Sequence, residues 1–486
     1  MNYRNIMTLI SCFCFTVSFS QNNADIDLDF NIIDGFGHNG GYPGLVNSID
    51  LQQDGKVVAG GNFIFYNGAT SKNLARLNSD GSFDDSFDVG ESFDSSVSHL
   101  KVMPDGKIMV SGGFTSYNGH TAGGIIRLNS DGSIDTTFDT GTGFFNNYGA
   151  LGVFSFDLQS DGKIVAGGNI DMFNDHIVNQ LARINPDGSF DETFSETSGF
   201  SAHPISSIKV LQDDKILVGG RFNYSYDVDG EMGNTNGIVR LNPDGTYDSA
   251  FQTGIGFTSA TSSTSINAII ELTDGRLLLG GSFTAYDGIP VYALIRLYPD
   301  GSRDETFHVV PNANLITITD LAVQNDGKIL VGGLFETYDG VTSKNIVRLH
   351  ENGEVDTSFD VGTGFDQGVK GIRIQEDGKI VVSGSFSYYN GNNYKGIIRL
   401  MGTPTLSVAQ INNESLKIYP NPTSDVLYFS FPLSKIDLFG REGKKIFESD
   451  IKTDSLNIKQ LPQGTYFIRA KTENGEIYKA KFIKKN

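Results

Sequence analysis

A three-residue signal, an acidic turn followed by a cation, recurs seven times along this chain. It reads Asp54-Gly55-Lys56, Asp105-Gly106-Lys107, Asp161-Gly162-Lys163, Asp213-Asp214-Lys215, Asp274-Gly275-Arg276, Asp326-Gly327-Lys328 and Asp377-Gly378-Lys379. Successive copies are 51, 56, 52, 61, 52 and 51 residues apart. A period of this length, held through seven copies, indicates a propeller or a solenoid. Apolar runs flank each copy, as Val46 to Gln52 and Lys56 to Phe63 do in the first, so each copy reads as a β-hairpin. Asp-Gly suits a type I′ turn, in which both central residues take positive φ. The second strand always carries a glycine: Gly61, Gly112, Gly168, Gly220, Gly281, Gly333 and Gly384. A glycine repeated inside a strand implies a bulge or a close backbone approach.

A second hairpin completes each unit. Its first strand ends in Arg76-Leu77, Arg127-Leu128, Arg183-Ile184, Arg240-Leu241, Arg296-Leu297, Arg348-Leu349 or Arg399-Leu400. Its second strand begins with Asp-x-x-Phe, as from Asp135 to Phe138. Two hairpins make the four-stranded sheet of a propeller blade. The seventh unit lacks its fourth strand, but Ile26-Asp27-Leu28-Asp29-Phe30 matches that strand, and Gly35-Phe36 matches Gly143-Phe144. The N-terminus is therefore expected to close the last blade, which favours a ring over an open array and removes two free edges. The repeated Arg and Asp stand eight residues apart in most units, as Arg76 and Asp84 do, and can pair across the turn. Sevenfold repetition assigns them to structure, because catalysis needs a group once.

The fold expected is all-β: a seven-bladed β-propeller with an N-terminal strand closing the last blade, followed by a small C-terminal β-sandwich. Residues 1–20 read as a signal peptide, with Arg4 before an apolar run and small residues ahead of Gln21. Residues 21–402 form the propeller, 403–415 a linker, and 416–486 a separate domain. Both cysteines, Cys12 and Cys14, fall inside the signal. The mature chain then has neither disulfides nor thiolate chemistry. No later stretch has the roughly 18 consecutive apolar residues of a transmembrane segment. Formal net charge is -20; the tail from Gly402 holds thirteen Lys and Arg against nine Asp and Glu, which leaves the remainder near -24. An acidic body of this size argues against nucleic acid and against anionic glycans.

The units resemble the delta-60 repeat of secreted bacterial proteins, whose pattern of Asp-Gly-Lys-Ile, Gly-Gly-x-Phe, Tyr-Asn-Gly, Arg-Leu-Asn and Asp-x-x-Phe is nearly complete in residues 103–138. The resemblance runs from about Asp25 to Leu400, with the fourth unit departing most. It implies a propeller and little about activity. The tail resembles the C-terminal sorting domain of proteins exported by type IX secretion. Three motifs carry this likeness: Ile418-Tyr419-Pro420-Asn421-Pro422-Thr423, the segment from Ile436 to Lys444, and Leu461-Pro462-Gln463-Gly464-Thr465-Tyr466. It implies a Bacteroidetes-type cell, passage through the periplasm, release or anchoring at the outer surface, and the type IX machinery as a partner.

Chemistry is harder to read. The seven histidines lack metal-ligand spacing, so no metal and no cofactor is expected. Asp227-Val228-Asp229-Gly230-Glu231 is only a fragment of a Ca²⁺ loop. Four residues before each turn Asp stand Asp50, Lys101, Asp157, Lys209, Ile270, Ala322 and Arg373, a set of mixed sign that lines any central opening it reaches. An aromatic follows the strand glycine by five residues in six units, among them Tyr66, Tyr117, Tyr286, Tyr338 and Tyr389; the fourth unit has Ser225 there, with Tyr224, Tyr226, Asp227 and Asp229 nearby. If a rim binds neutral glycans, these rings with adjacent acceptors are the expected site, against the plainer reading that each ring packs within the blades. The function expected is a secreted or cell-surface binding or scaffold module, with neutral glycans or surface proteins as its partners. An extracellular polysaccharide-acting enzyme and a purely structural surface protein are the alternatives.

Overall fold

A computed structural model of the chain describes residues 24–147, 151–195, 200, 203–228, 231–259, 264–308, 317–402, 417–439, 445–449, 452–472 and 477–485. The expected signal peptide, the linker and Asp229 lie outside these residues. The chain divides into two compact units, Met1–Pro404 and Thr405–Asn486.

The first unit is a ring of seven three-stranded sheets. In the first blade the inner strand is Leu45–Leu51, the middle Val57–Asn62 and the outer Leu74–Leu77, all antiparallel. Alternation decides the packing: residues on both faces of the middle strand are buried, because each blade is sandwiched between two others. Apolar clusters therefore cross blade boundaries. Val58 and Leu74 of the first blade share a core with Val97, Leu100 and Ile108 of the second.

The fourth strand expected in each blade is reduced to one bridged pair, such as Leu77 with Phe83 or Leu128 with Ile134. Its residues then turn away to form a buried latch. Arg76 Nε donates to Asp84 at 2.6 Å, Lys56 reaches the same carboxylate at 2.9 Å, and the guanidinium lies over Phe87 at 4.5 Å. The remaining Arg76 nitrogens bond Ser86 and the Ser130 carbonyl in the next blade. The same cluster recurs in every blade, with Arg–Asp distances of 2.6–2.8 Å. The cation after the turn, the Arg-Leu pair and the Asp-x-x-Phe motif are thus one device that clamps each hairpin and reaches into the following blade.

Burial alone would raise these latch carboxyls. Hydrogen bonds from Ser86 or its counterparts and from the two cations reverse that, and hold Asp84, Asp135, Asp191, Asp304 and Asp356 well below the usual carboxylate range. A carboxyl depressed in the folded state stabilises it above its unfolded pKa, and that contribution disappears as pH falls through the folded value. Melting temperature should therefore change little through the latches from pH 7 to 5. It should fall steeply below about 4, the unfolded carboxylate value. A pH series of thermal melts tests this, and a flat curve down to pH 2.5 or so would remove the latches from the account.

Ring closure follows the expectation. Ile26 bridges Leu400, Asp27 N donates to Arg399 O at 2.9 Å, and Met401 N to Asp25 O at 2.7 Å. Asp27 completes the seventh latch, with Arg399 at 2.6 Å and Lys379 at 2.9 Å.

The turn type departs from expectation. Gly55 N donates to Gln52 O and Gln52 N to Lys56 O, both 2.9 Å, which defines a three-residue loop. Only Gly55 has positive φ, so the turn is type I followed by a glycine bulge. In the fourth unit Asp214 occupies that left-handed position at φ 63°. The type I′ geometry appears instead at Asn67-Gly68, with φ 47° and 84°, in a small rim hairpin between Phe65–Tyr66 and Ala69–Thr70. The fourth unit lengthens this region into a hairpin arm, pairing Asn223 with Asn236 through Val228 with Glu231.

The second unit has two sheets. One contains Ile418–Tyr419, Val426–Leu433 and Thr453–Asn457; the other Lys435–Phe439, Lys445–Ser449, Gly464–Lys471 and Ile477–Lys484. Leu427 and Phe429 of the first share one core with Leu438, Ile468 and Phe482 of the second. Among the described residues no helix is long and apolar enough to cross a membrane.

Candidate functional site: the central channel

The expected tyrosine rim is not a surface. Tyr66, Tyr117 and Tyr389 are fully buried, and Tyr224, Tyr286 and Tyr338 nearly so. Tyr66 Oη donates to Gly81 O at 2.6 Å and its ring packs on Phe36 at 4.7 Å. Tyr117, Tyr286 and Tyr389 repeat the arrangement with Gly132, Gly301 and Ala24 carbonyls. Three of these phenols tie the rim hairpin to the latch turn and that of Tyr389 ties it to the N-terminal segment, and a buried ring has no face to stack on a sugar. Burial accordingly pushes all five of the repeated tyrosine pKa values up. Tyr224 sits against Phe200 and Tyr247. Tyr226 and Asp227 lie in the hairpin arm, and Asp229 outside the described residues. The physical reason is that a ring followed by Asn-Gly marks a turn, and a turn does not say which way the ring before it points.

The open feature is the channel between the inner strands, a cavity of about 670 Å³. Each inner strand carries a one-residue bulge at the same place. The unpaired residues are Asn47, Ser98, Phe154, Ser206, Asn267, Thr319 and Lys370, and all seven line the channel. The strand glycines exist for this bulge: a Cβ on Gly61 would lie 2.0 Å from Leu45 O, and on Gly281 2.0 Å from Ser265 O. A bulge re-aims a side chain without breaking the sheet. The latches are near-identical in every blade, whereas the bulge residues differ, so the ring presents a varied surface on a uniform frame.

Below this row the channel is charged. Asp157 is held between Lys101 and Lys209, the latter at 3.1 Å, and accepts Val210 N at 3.0 Å. On the opposite wall Arg373 lies between Asp320 at 3.1 Å and Asp50 at 3.4 Å. Signs thus alternate blade by blade. An odd ring cannot alternate completely, and the fifth blade breaks the sequence with Ile270. Burial lifts the Asp157 carboxyl, but the two lysines more than offset it and the net shift is down. Burial dominates at Asp320 and raises it in spite of Arg373. Burial, with Arg373 and Lys101 adding to it, pushes the His99 imidazole down to about 4, so it is neutral.

The positions four before the turn Asp do reach the channel, except that Ala322 gives way to Asp320. A shift of two residues keeps a side chain on the same strand face. Phe154, Lys370 and His99 were missed. Counting back seven from each turn Asp finds the whole bulge row, but only the register reveals that this residue is the bulged one.

A seven-bladed ring closed by its own N-terminal segment, followed in sequence by a separate β-unit, defines a closed β-propeller rather than an open repeat array. Seven segments, residues 52–87, 104–138, 159–194, 211–251, 272–307, 324–359 and 375–402, match the family described as a domain of unknown function (DUF5122) beta-propeller, and the chain belongs to it. Residues 417–485 match the secretion system C-terminal sorting domain. The tail marks the protein for export by type IX secretion to the cell surface or the medium. No curated protein matches the chain. Among solved structures, PorZ, a surface component of the type IX system of Porphyromonas gingivalis, is 13% identical over 93% of this chain and 60% of its own, with TM-score 0.45. The extracellular domain of BT4673 from B. thetaiotaomicron is also 13% identical, over 92% of this chain and 52% of its own, with TM-score 0.45. A virginiamycin B lyase from Staphylococcus aureus is 12% identical over 76% and 99%, with TM-score 0.42. The chain thus spans only 60% and 52% of the first two structures.

Proposed function

We propose that this protein is an exported surface binding module whose ligand site is the central channel. The bulge row carries this reading: seven side chains aimed into one cavity, varied where the rest of the blade is repeated. A polar opening of about 670 Å³ suits a small polar solute or the end of a chain, within the usual range of ligand pockets. Binding is favoured over hydrolysis by the state of the carboxylates. Asp157 is committed to two lysines, and Asp50 and Asp320 to Arg373 and to the backbone amides of Val102 and Ile372. A glycosidase needs one carboxylate free to attack and another free to donate a proton. The test is a screen of oligosaccharides and small polar solutes on the full-length protein beside Ser98→Trp, which fills the channel from the bulge row. Ligands should bind the native protein and be lost in the variant at unchanged melting temperature. Binding that survives Ser98→Trp would remove the channel from the reading.

A further inference from the structure

We infer that the channel selects a small sugar acid, one carboxylate on a hydroxylated ring, held on the arc of blades seven, one, two and three; this rests on the channel reading above. The bulge row is not equivalent around the ring. On one side its polar groups are occupied within the protein. Ser206 Oγ lies 3.4 Å from Ser265 Oγ, Asn267 Nδ2 donates to Ile318 O at 2.8 Å, and Thr319 Oγ1 to Val369 O at 2.5 Å. On the other side three groups are unused. Among the described residues the side chains of Lys370, Ser98 and His99 make no hydrogen bond or ion pair, although all three line the cavity. Asn47, between them in the first blade, spends its amide nitrogen on Val97 O at 2.8 Å.

Phe154 completes the arc in the third blade. It is the one aromatic in the bulge row and is 38% exposed. Its ring is held down along its own strand: a Cβ on Gly152 would fall 2.4 Å from a ring carbon, so glycine is what leaves room for it. A fixed aromatic face opposite hydrogen-bonding groups matches the apolar face and hydroxyl edge of a pyranose. Lys370 supplies the charge selection. The channel holds the cations Lys101, Lys209, Lys370 and Arg373 against the carboxylates Asp50, Asp157 and Asp320, and only Lys370 lacks a carboxylate partner. A neutral sugar leaves that ammonium unused, and a cationic one is repelled by it. The acidic exterior does not overrule this. Its field is screened over about 8 Å at physiological salt, whereas a carboxylate seated on Lys370 pairs directly.

Isothermal titration of the full-length protein with D-glucuronate and D-glucose tests the assignment. Glucuronate should bind about tenfold or more tightly than glucose, the increment expected of a charge-assisted pair. Lys370→Met, which keeps the stem and removes the charge, should abolish that preference and leave melting unchanged. Phe154→Ala should weaken both sugars together. Equal binding of the two sugars, or a preference that persists in Lys370→Met, would overturn the sugar-acid assignment while the channel stands. No heat with glucuronate at tens of millimolar would overturn it as well. Binding of either sugar that survives Ser98→Trp would overturn the channel itself, so the two failures are distinguishable.

Discussion

Asp27→Ala is expected to destabilise the propeller by about 3–5 kcal/mol, the cost of leaving a buried charge without its partner. Asp27 and Arg399 are 372 residues apart in sequence and 2.6 Å apart in the ring. Both are buried, and Lys379 shares the same carboxylate. The variant removes the carboxylate partner of Arg399 and one of the two at Lys379, and Arg399 also holds Phe30 under its plane and the Ser79 carbonyl of the first blade. The rest of the seam depends on this segment. Tyr389 Oη bonds Ala24 O, Lys395 pairs with Asp34 at 2.7 Å, and Val381 and Ile397 share a core with Phe36 and Val46. On the inner wall Arg373 reaches Asp50 across the same seam. Urea unfolding of Asp27→Ala beside Lys417→Ala, an exposed site in the other unit, makes the measurement. A loss under about 0.5 kcal/mol, the size of an ordinary surface substitution, would mean that the N-terminal segment does not close the ring.

Truncation before Lys417 should have the opposite profile: no effect on the propeller and loss of export. The last closing contact of the ring is Met401 N on Asp25 O, so every bond of the seventh blade lies before the cut. The second unit has its own core of Leu427, Phe429, Ile436, Leu438, Ile468 and Phe482. The propeller's transition should therefore move by no more than a degree or two, as expected for units that unfold independently. In a host with type IX secretion the truncated chain should accumulate, folded, in the periplasm. Fractionation and surface proteolysis read this out. Normal surface levels would show that export does not depend on the sorting domain.

How far the site was legible follows from what repeats. A cation, an Arg, an Asp and a Phe return in all seven units, with Arg and Asp eight residues apart in the first six and Asp27 and Phe30 serving the seventh, and a group needed seven times is a group of the frame. Assigning Ile26 to Phe30 to the blade that ends at Arg399-Leu400 needed no coordinates, only the absence of an Asp-x-x-Phe strand after Leu400. Tyr66 recurs as tyrosine in five of the seven units, with Phe173 in the third, and by that same logic belonged to the frame. The Asn-Gly after it pointed to a rim, but local turn chemistry fixes where the chain reverses and not which side chains its neighbours cover.

The amino-acid sequence by itself determined the blade count, the closed ring, the Arg–Asp pairs and the destination of the protein, because each rests on local pattern, the first three on one that recurs every 51 to 61 residues. Tertiary structure decided the interior. Lys370 and Ser98 are 272 positions apart and meet the same cavity only because seven blades wrap round one axis. The direction of each bulged residue depends on a register between two strands, and a slip of one residue turns every side chain to the other face. The isolation of Lys370 is likewise a property of neighbouring blades, which no window of a single repeat contains.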